Sequence, residues 1–219
     1  MKKLIFTTLL LPAVFAACTS NPEGEKAQTQ EAQEVAASAG TAFTLDSTAV
    51  INWTGNKIDG SHQGTFRFKE GNVFVENGNI TSGNFVIDIN SLTDLDMAKD
   101  PEMKGMLEGH LKSPDFFDAA KYPTGKFEIT SVKVADSTEK GKMTDATHVI
   151  MGNLTLKDTT HNIIFPAKVS IGESNVSVVA DFNIDRSMWG MNYKGQNNPK
   201  DWIISKEVNL KLNLSAAKK

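Results

Sequence analysis

Apolar and polar residues alternate along most of the chain from Phe43 onward. The alternating runs lie at residues 51–55, 66–68, 85–89, 150–156, 163–171, 176–184 and 204–214. Side chains of a β-strand point to opposite faces in turn, so each run places its apolar residues on one face of a strand. The pattern therefore predicts an all-β domain built from antiparallel strands.

Residues that favour tight turns separate these runs. The candidate turns are Gly71-Asn72, Asn77-Gly78, Lys140-Gly141 and Gly172-Glu173. Asn and Gly tolerate positive φ, which hairpin turns require. Strands with one apolar face each, and little helix to cover them, can bury those faces by closing into a barrel that leaves no exposed edge. A barrel is therefore predicted, and a two-sheet sandwich is the alternative.

One segment breaks the alternation and predicts a short helix near residues 100–112. Its apolar residues recur at helical spacing and share one face: Met103, Met106, Leu107, His110 and Leu111. Asp100 is a suitable N-cap, Pro101 suits the first helical position, and Ser113-Pro114 ends the helix. Placed across a barrel end, this helix would either plug the core or form a Met-rich lid.

The N-terminal residues have the features of an export signal. Lys2 and Lys3 precede an apolar stretch from Leu4 to Phe15, and the small residues Ala16-Ala17 follow it. The apolar stretch is shorter than the roughly 20 residues that a transmembrane helix needs. Residues 1–17 are therefore predicted to be a cleaved signal peptide.

Cys18, the only cysteine, directly follows the small residues. The sequence Phe15-Ala16-Ala17-Cys18 resembles the bacterial lipobox, although Phe15 stands where an aliphatic residue is more usual. A lone exposed thiol is a liability in an oxidising compartment, whereas an acylated cysteine anchors a protein stably. We expect an exported lipoprotein, attached to a bacterial membrane through acylated Cys18 and facing the periplasm or the cell surface. A secreted protein with a free thiol is the alternative.

The residues after Cys18 differ in composition from the rest of the chain. From Thr19 to about Gly40 they are rich in Ala, Gln, Glu, Ser and Gly and contain no aromatic residue. Such a composition cannot bury enough apolar surface to offset the entropy of ordering. Residues 18–42 are therefore predicted to be a disordered polar tether, with a fraying helix over residues 27–37 as the alternative, and residues 43–219 to be the barrel domain.

The charge and the polar residues exclude several function classes. The net charge of −3 does not suit nucleic acid or anionic lipid headgroups. The four histidines are scattered without metal-type spacing, at His62, His110, His148 and His161. The carboxylate pairs Asp94 with Asp96 and Asp181 with Asp185 are interpreted as solvated or outward-facing groups. No phosphate loop or nucleophile elbow occurs, so we expect no catalytic residue, metal or cofactor.

Four segments in one order resemble the YceI-like family of polyisoprenoid-binding proteins. The most specific is His110–Asp118, followed by Tyr122-Pro123 and Phe127. The others are Gly64–Phe68, Gly152–Leu156 with Thr160-His161, and Asp185–Gly190. The resemblance covers residues 43–214. The chain departs from the family pattern in offering Trp53–Lys57 where family members often carry a His in the first long strand.

This resemblance implies a lipocalin-like antiparallel barrel of about eight strands whose lumen takes an isoprenoid lipid or a quinone, in a protein without catalytic activity. An eight-stranded barrel is just wide enough to be filled by side chains or to hold one small ligand. The candidate ligand-binding residues line the predicted inner faces or the mouth: Phe66, Phe85, Ile87, Leu107, His110, Leu111, Phe116, Phe117, Phe127, Gly152, Leu154, Phe165, Phe182, Arg186 and Trp189.

Two further expectations concern space and polarity in the lumen. Gly55, Gly83 and Gly152 are expected to leave room on inner faces. Arg186 and His110 are expected to meet a ligand headgroup, with a structural pairing of Arg186 with Asp185 or Asp118 as the alternative. The competing function is a structural or interaction barrel with a filled core, in contact with partners through outer-face residues such as Val86, Val149 and Val179.

Overall fold

The computed structural model describes residues 22–194 and 204–218, so the predicted signal peptide and Cys18 lie outside the described residues. The elements are β1 Glu25–Lys26, β2 Gln28–Gln30, β3 Thr41–Leu45, β4 Val50–Lys57, β5 Gly60–Glu76, β6 Asn79–Asp94, α1 Pro101–Lys112, β7 Thr124–Val134, β8 His148–Leu156, β9 Thr159–Ile171, β10 Asn175–Asp185, a 3₁₀ turn Arg186–Trp189 and β11 Ile204–Lys218. No helix among these is long and apolar enough to cross a membrane.

Eight antiparallel strand positions, which we call staves, close into a barrel. This arrangement confirms the predicted fold class and excludes the sandwich. Both β3 and β4 pair with β5 and β11, so they are two halves of one stave, interrupted at residues 46–49. From β5 to β9 each strand pairs with the next along the chain. β11 then pairs with β10, and a β9–β10 pairing closes the barrel.

The apolar faces of the staves converge on the lumen as the alternation predicts. On β10 and β11, for example, Val178 lies opposite Leu214 and Phe182 opposite Leu210. The resulting core cluster takes buried residues from all eight staves. Because side chains alternate with period two, a shift of one residue in any register would turn these apolar residues outward.

Two of the glycine-containing pairs predicted to be turns have different outcomes. Asn77 and Gly78 form the β5–β6 turn, with φ values of 51° and 75°. The pair Gly71-Asn72 is not a turn, because it lies inside the 17-residue strand β5. A Cβ at Gly71 would lie 2.6 Å from Leu45 Cδ1, so this glycine permits a close approach of the β3 side chain instead.

The predicted helix forms as α1. Asp100 caps it by accepting a hydrogen bond of 3.1 Å from the Met103 N–H. Two side chains then fasten α1 to the end of β6. Lys104 Nζ donates to the Asp94 carbonyl at 2.7 Å, and Glu108 Oε1 accepts from the Asp94 N–H at 2.8 Å. The helix therefore has a fixed position at one end of the barrel.

The barrel is closed by a short seam between β9 and β10. β9 and β10 pair over only four residue pairs, from Val176–Ile171 to Val179–Lys168. Beyond these pairs the chain's own N-terminal segment, residues 22–40, runs along the gap; we call this segment the strap. Its β1 pairs in parallel with β10, and its β2 pairs antiparallel with β9. Residues 28–30 thus lie opposite residues 162–164.

The strap corrects the prediction of a disordered tether for residues 22–40. Its contacts use backbone groups, which composition does not reveal. Asn183 Nδ2 donates to the Pro22 carbonyl at 3.0 Å, and Asn209 Nδ2 donates to the Glu23 carbonyl at 2.6 Å. Further along, the Ala36 N–H reaches the β7 carbonyl of Ile129 at 3.1 Å. The strap therefore crosses the outside of the barrel before the chain enters β3.

We predict that the strap contributes to stability through Asn153 on β8. Its side chain accepts from the Gln33 N–H at 3.0 Å and donates to the Gln33 carbonyl at 2.7 Å, imitating a strand partner. Asn153→Ala should lower the free energy of unfolding by about 1–3 kcal/mol, measured by urea denaturation, because these polar groups lose their partners. Asn213→Ala, at an exposed position of β11, is the control, with an expected effect within about 0.5 kcal/mol. Equal losses in both variants would contradict a role for the strap.

Candidate ligand-binding cavity

Two adjoining cavities occupy the lumen. Cavity A has a volume of about 80 Å³ and is lined only by apolar residues. Cavity B has a volume of about 380 Å³ and extends to the barrel end where α1 lies. Ile51, Ile87, Leu154 and Leu210 line both, so the cavities follow one another directly. The volume of cavity B falls in the range of small-molecule sites, roughly 300–1,000 Å³.

A row of aromatic rings crosses the lumen at cavity A. Its successive ring centroids lie 6.0 Å (Phe68–Phe85), 6.2 Å (Phe85–Phe127), 6.0 Å (Phe127–Phe165) and 4.1 Å (Phe165–Phe182) apart. The last pair is stacked and joins β9 to β10 from inside, opposite the strap. Six predicted binding residues line this cavity: Phe85, Ile87, Phe127, Leu154, Phe165 and Phe182.

Cavity B collects the predicted residues of the helix and of the segment that follows it. The predicted residues on its wall are Phe66, Ile87, Leu107, His110, Leu111, Phe116, Phe117, Leu154 and Arg186. The chain turns back after α1, since the Phe117 N–H donates to the Leu111 carbonyl at 3.1 Å and Asp118 adopts a φ of 48°. This turn brings Phe117 against Phe66 on β5, with ring centroids 5.3 Å apart in an edge-on arrangement.

The helix covers cavity B without filling the lumen. No residue of α1 is fully buried. Leu107, His110 and Leu111 line the cavity, whereas Met103 is 47% exposed and Met106 64% exposed. Only part of the predicted apolar face is used, and a cavity remains beneath it. Of the two predicted roles, the arrangement corresponds to a lid.

His110 lies at the rim and is already engaged. Its Nε2 donates to Asp115 Oδ2 at 3.0 Å. Its ring meets those of Phe116 and Tyr193 edge-on, at centroid distances of 5.2 and 4.6 Å. The ring is thus one of three aromatic groups that narrow the mouth of cavity B, and one of its nitrogens is occupied.

Arg186 has a structural role, but its partners are not the two aspartates named from the sequence. The residue is 4% exposed. Its guanidinium donates to four backbone carbonyls, those of Met191, Tyr193, Ile204 and Ser205. Burial lowers the pKa of Arg186, and the charge of Asp185 opposes this, but an Arg side chain stays protonated at neutral pH. Arg186 therefore fastens the segment after the 3₁₀ turn to the start of β11.

Neither predicted ion pair of Arg186 occurs among residues 22–194 and 204–218. Asp185 Oδ2 instead lies 3.4 Å from Lys206 Nζ. Four of the five guanidinium N–H groups donate to main-chain oxygens, which leaves at most one for the expected headgroup contact. An arginine that ties two segments of backbone together has no particular sequence signature, so this role could not be predicted.

Two predicted binding residues, Gly152 and Trp189, line neither cavity. Trp189 is 1% exposed and packs within the wall, where its Nε1 donates to the Leu154 carbonyl at 3.0 Å. At Gly152 the expected open space is absent, because the Phe127 ring lies directly over the position. The glycine thus accommodates an aromatic side chain from the neighbouring strand.

The other two strand glycines, Gly83 and Gly55, differ in whether open space remains beside them. A Cβ at Gly83 would lie 2.9 Å from Ile129 Cδ1, so that position is filled as well. A Cβ at Gly55 would meet nothing within 4 Å, and Gly55 lines cavity B. Of the three glycines, only Gly55 leaves space in the lumen as expected.

Several residues that were not selected from the sequence complete cavity B. They include Trp53, Leu92, Met191, Tyr193, Ile204 and Val208. Trp53 and Val208 lie on alternating apolar faces, so a wider use of that signal would have found them. Trp53 is 7% exposed, and its Nε1 is a buried donor without a partner among the described residues. Because that nitrogen is itself almost inaccessible, Trp53 contributes the apolar part of its indole to the wall of cavity B.

Comparison with known proteins gives a family and a fold. The model of the YceI-like domain matches residues 37–216. BcnA from Burkholderia cenocepacia superimposes with a TM-score of 0.62 at 20% identity, covering 79% of this chain and 99% of that one. A polyisoprenoid binding domain from Saccharophagus degradans, implicated in plant cell wall breakdown, gives a TM-score of 0.58 at 16% identity, covering 82% and 99%. A search of curated proteins finds no significant match.

We predict that Arg186 acts on stability. Arg186→Gln should lower the free energy of unfolding of lipid-free protein by about 1–3 kcal/mol, because backbone carbonyls would remain buried without donors. Chemical denaturation of the purified variant measures the loss. Arg67→Gln, at an exposed position of β5, is the matched control and should change little. An unchanged stability of Arg186→Gln would restore the side chain as a candidate for headgroup recognition.

Proposed function

The chain belongs to the YceI-like domain family, and on that premise we propose that it binds one long apolar lipid, a prenyl chain or prenylated quinone, in its barrel lumen. The role would be storage or transport of that lipid at the cell envelope. The observation that carries the proposal is the succession of cavities A and B within one lumen, joined by four common lining residues. A barrel that served only to contact partner proteins would be expected to have a filled core without such cavities.

The chemistry of the walls favours a hydrocarbon chain. Cavity A offers only aliphatic and aromatic side chains. Each methylene group buried there contributes about 0.8 kcal/mol, so several isoprene units offset the cost of association without a strong polar contact. The narrower cavity A suits the end of the chain.

Cavity B suits the other end of such a lipid. Polar groups gather on part of its wall, from Asn56, Lys57 and His62. We therefore place the headgroup in cavity B, beneath the helical lid, where α1 would have to move for the lipid to enter.

A binding role without catalysis agrees with how the polar residues around the mouth are used. His110 is paired with Asp115, and Arg186 donates to four backbone carbonyls. These groups hold the lid segment and the rim in place. They leave the apolar surface of the lumen as the principal contact for a ligand.

We further propose that Cys18 is acylated and anchors the protein at the envelope. The strap supports a specific consequence of this anchor. Pro22 is already bonded to Asn183 on the barrel, and only residues 19–21 separate it from Cys18. Four residue steps span at most about 14 Å. An acylated Cys18 would thus hold the barrel close to the membrane surface, in place of the long flexible reach that a tether of 25 residues would give.

The lumen proposal predicts that affinity depends on chain length. Delipidated protein titrated with prenols of increasing length should bind more tightly with each added unit until the chain fills the lumen. Gly55→Leu should weaken binding of the best prenol at least ten-fold while folding normally, because its side chain would enter open space in cavity B. Fluorescence or calorimetric titration measures both effects.

The matched control is Asn52→Leu, which places the same side chain at an exposed position of the same strand. It should bind as the unchanged protein does. Affinities independent of chain length, or an equal loss in Asn52→Leu and Gly55→Leu, would remove the lumen from consideration and favour the interaction barrel.

The anchor proposal predicts where the protein is found. Cys18→Ser should shift it from the membrane fraction to the soluble fraction of the producing cells, and mass spectrometry of the unchanged protein should show acyl chains on the mature N-terminal cysteine. Recovery of Cys18→Ser in the membrane fraction at the original level would contradict the lipoprotein assignment.

A further inference from the structure

A histidine and two aspartates meet beside the mouth of cavity B. His62 lies on β5, Asp94 is the last residue of β6, and Asp96 follows it. One potential ligand atom from each, a ring nitrogen and two carboxylate oxygens, lies within 4.8 Å of the other two. Asp94 is fully buried, which corrects the expectation that the pair Asp94 and Asp96 consists of solvated groups. We call these three residues the His-Asp-Asp cluster.

Asp94 provides an independent indication that something belongs between these groups. Its Oδ1 accepts from the Met97 N–H at 2.7 Å. Its Oδ2 is buried and has no hydrogen-bond donor among residues 22–194 and 204–218. An ionised carboxylate oxygen that is buried without a partner is strongly disfavoured. A proton or a cation beside that oxygen would remove the penalty.

The other two members are held in place by their surroundings. Asp96 Oδ1 accepts from the Gln63 N–H at 2.8 Å. Its Oδ2 accepts from His62 Nδ1 at 2.9 Å. The nearby ammonium of Lys104 donates to the Asp94 carbonyl at 2.7 Å and lies 3.7 Å from Glu108, so its charge is partly balanced by that carboxylate. Two acidic groups and one imidazole therefore face each other in a fixed frame.

We propose that the His-Asp-Asp cluster binds one divalent transition-metal cation, with Zn²⁺ as the reference ion. One imidazole nitrogen and two carboxylate oxygens are ligands that such an ion accepts, at bond lengths of about 2.0–2.2 Å. In a tetrahedral site these bonds place ligand atoms about 3.4 Å apart. Small side-chain movements from separations within 4.8 Å would reach that geometry.

The cluster supplies three ligands and leaves the fourth position open. His62 also lines cavity B, so the open position lies near the mouth of that cavity. Water would complete the coordination in the absence of other groups. His62 also belongs to the wall where the headgroup is placed, but the test of the metal site is independent of the lipid proposal because it measures metal binding without any occupant of the lumen.

The test is a calorimetric titration of the full-length, chelator-treated protein with Zn²⁺, and in parallel with Mn²⁺ and Mg²⁺. We expect one equivalent of Zn²⁺ to bind and to raise the melting temperature, with Mg²⁺ binding much more weakly. His62→Ala, Asp94→Asn and Asp96→Asn should each weaken Zn²⁺ binding at least ten-fold. His62→Ala and Asp96→Asn change partly exposed residues, so they serve if Asp94→Asn fails to fold.

Asp115→Asn is the matched control, because Asp115 also pairs with a histidine, His110, but no second carboxylate joins them in a cluster of this kind among the described residues. It should leave Zn²⁺ binding unchanged. A proton shared between Asp94 and Asp96 is the competing explanation. In that case no equivalent of Zn²⁺ binds, which overturns the proposal. Zn²⁺ binding that survives in all three cluster variants also overturns it, because the ion would then be bound elsewhere.

Discussion

Backbone pairing along the seam between β9 and β10 is the constraint on which the rest of the structure depends. A closed barrel has no free strand edges, but these two strands share only four residue pairs. Inside the barrel, the stacked rings of Phe165 and Phe182 connect β9 and β10 beyond the residues that pair. Outside, the strap supplies the missing backbone partners. The apolar lumen is therefore enclosed by a wall that includes the chain's own N-terminal segment.

Polar side chains on the outer surface make this arrangement possible. Asn153, Asn183 and Asn209 are buried beneath the strap and use their amides to bond its backbone. Arg186 does the same for Met191 and Tyr193 after the 3₁₀ turn and for the first residues of β11. Such groups are costly to bury unless every donor and acceptor is satisfied, so they specify where each segment lies. Polar contacts thus hold the irregular segments in place, and the lumen is left apolar.

The fold could be predicted from the sequence because it depends on a strong periodic signal. Alternation identified the staves, and Asp100 with Pro101 located the helix. The strap could not be predicted, since its side chains are polar and mostly exposed while its backbone carries the contacts. The same limit applies to the cavities. Period two shows which residues face inward, but whether Gly55 or Gly152 opens space depends on a neighbour such as Phe127, which only the three-dimensional arrangement reveals.

The end of β6 connects the features around the mouth of the lumen. Asp94 bonds both Lys104 and Glu108 of α1 through its backbone, while its side chain belongs to the His-Asp-Asp cluster. A change in the charge state or occupancy of that cluster acts on the residue that fastens the lid. No residue of α1 is fully buried, and Leu111 is the helix residue that packs against the core. The polar attachments to Asp94, together with the bonds that residues 117 and 119 make to the last turn of α1, hold the lid beside the mouth of cavity B.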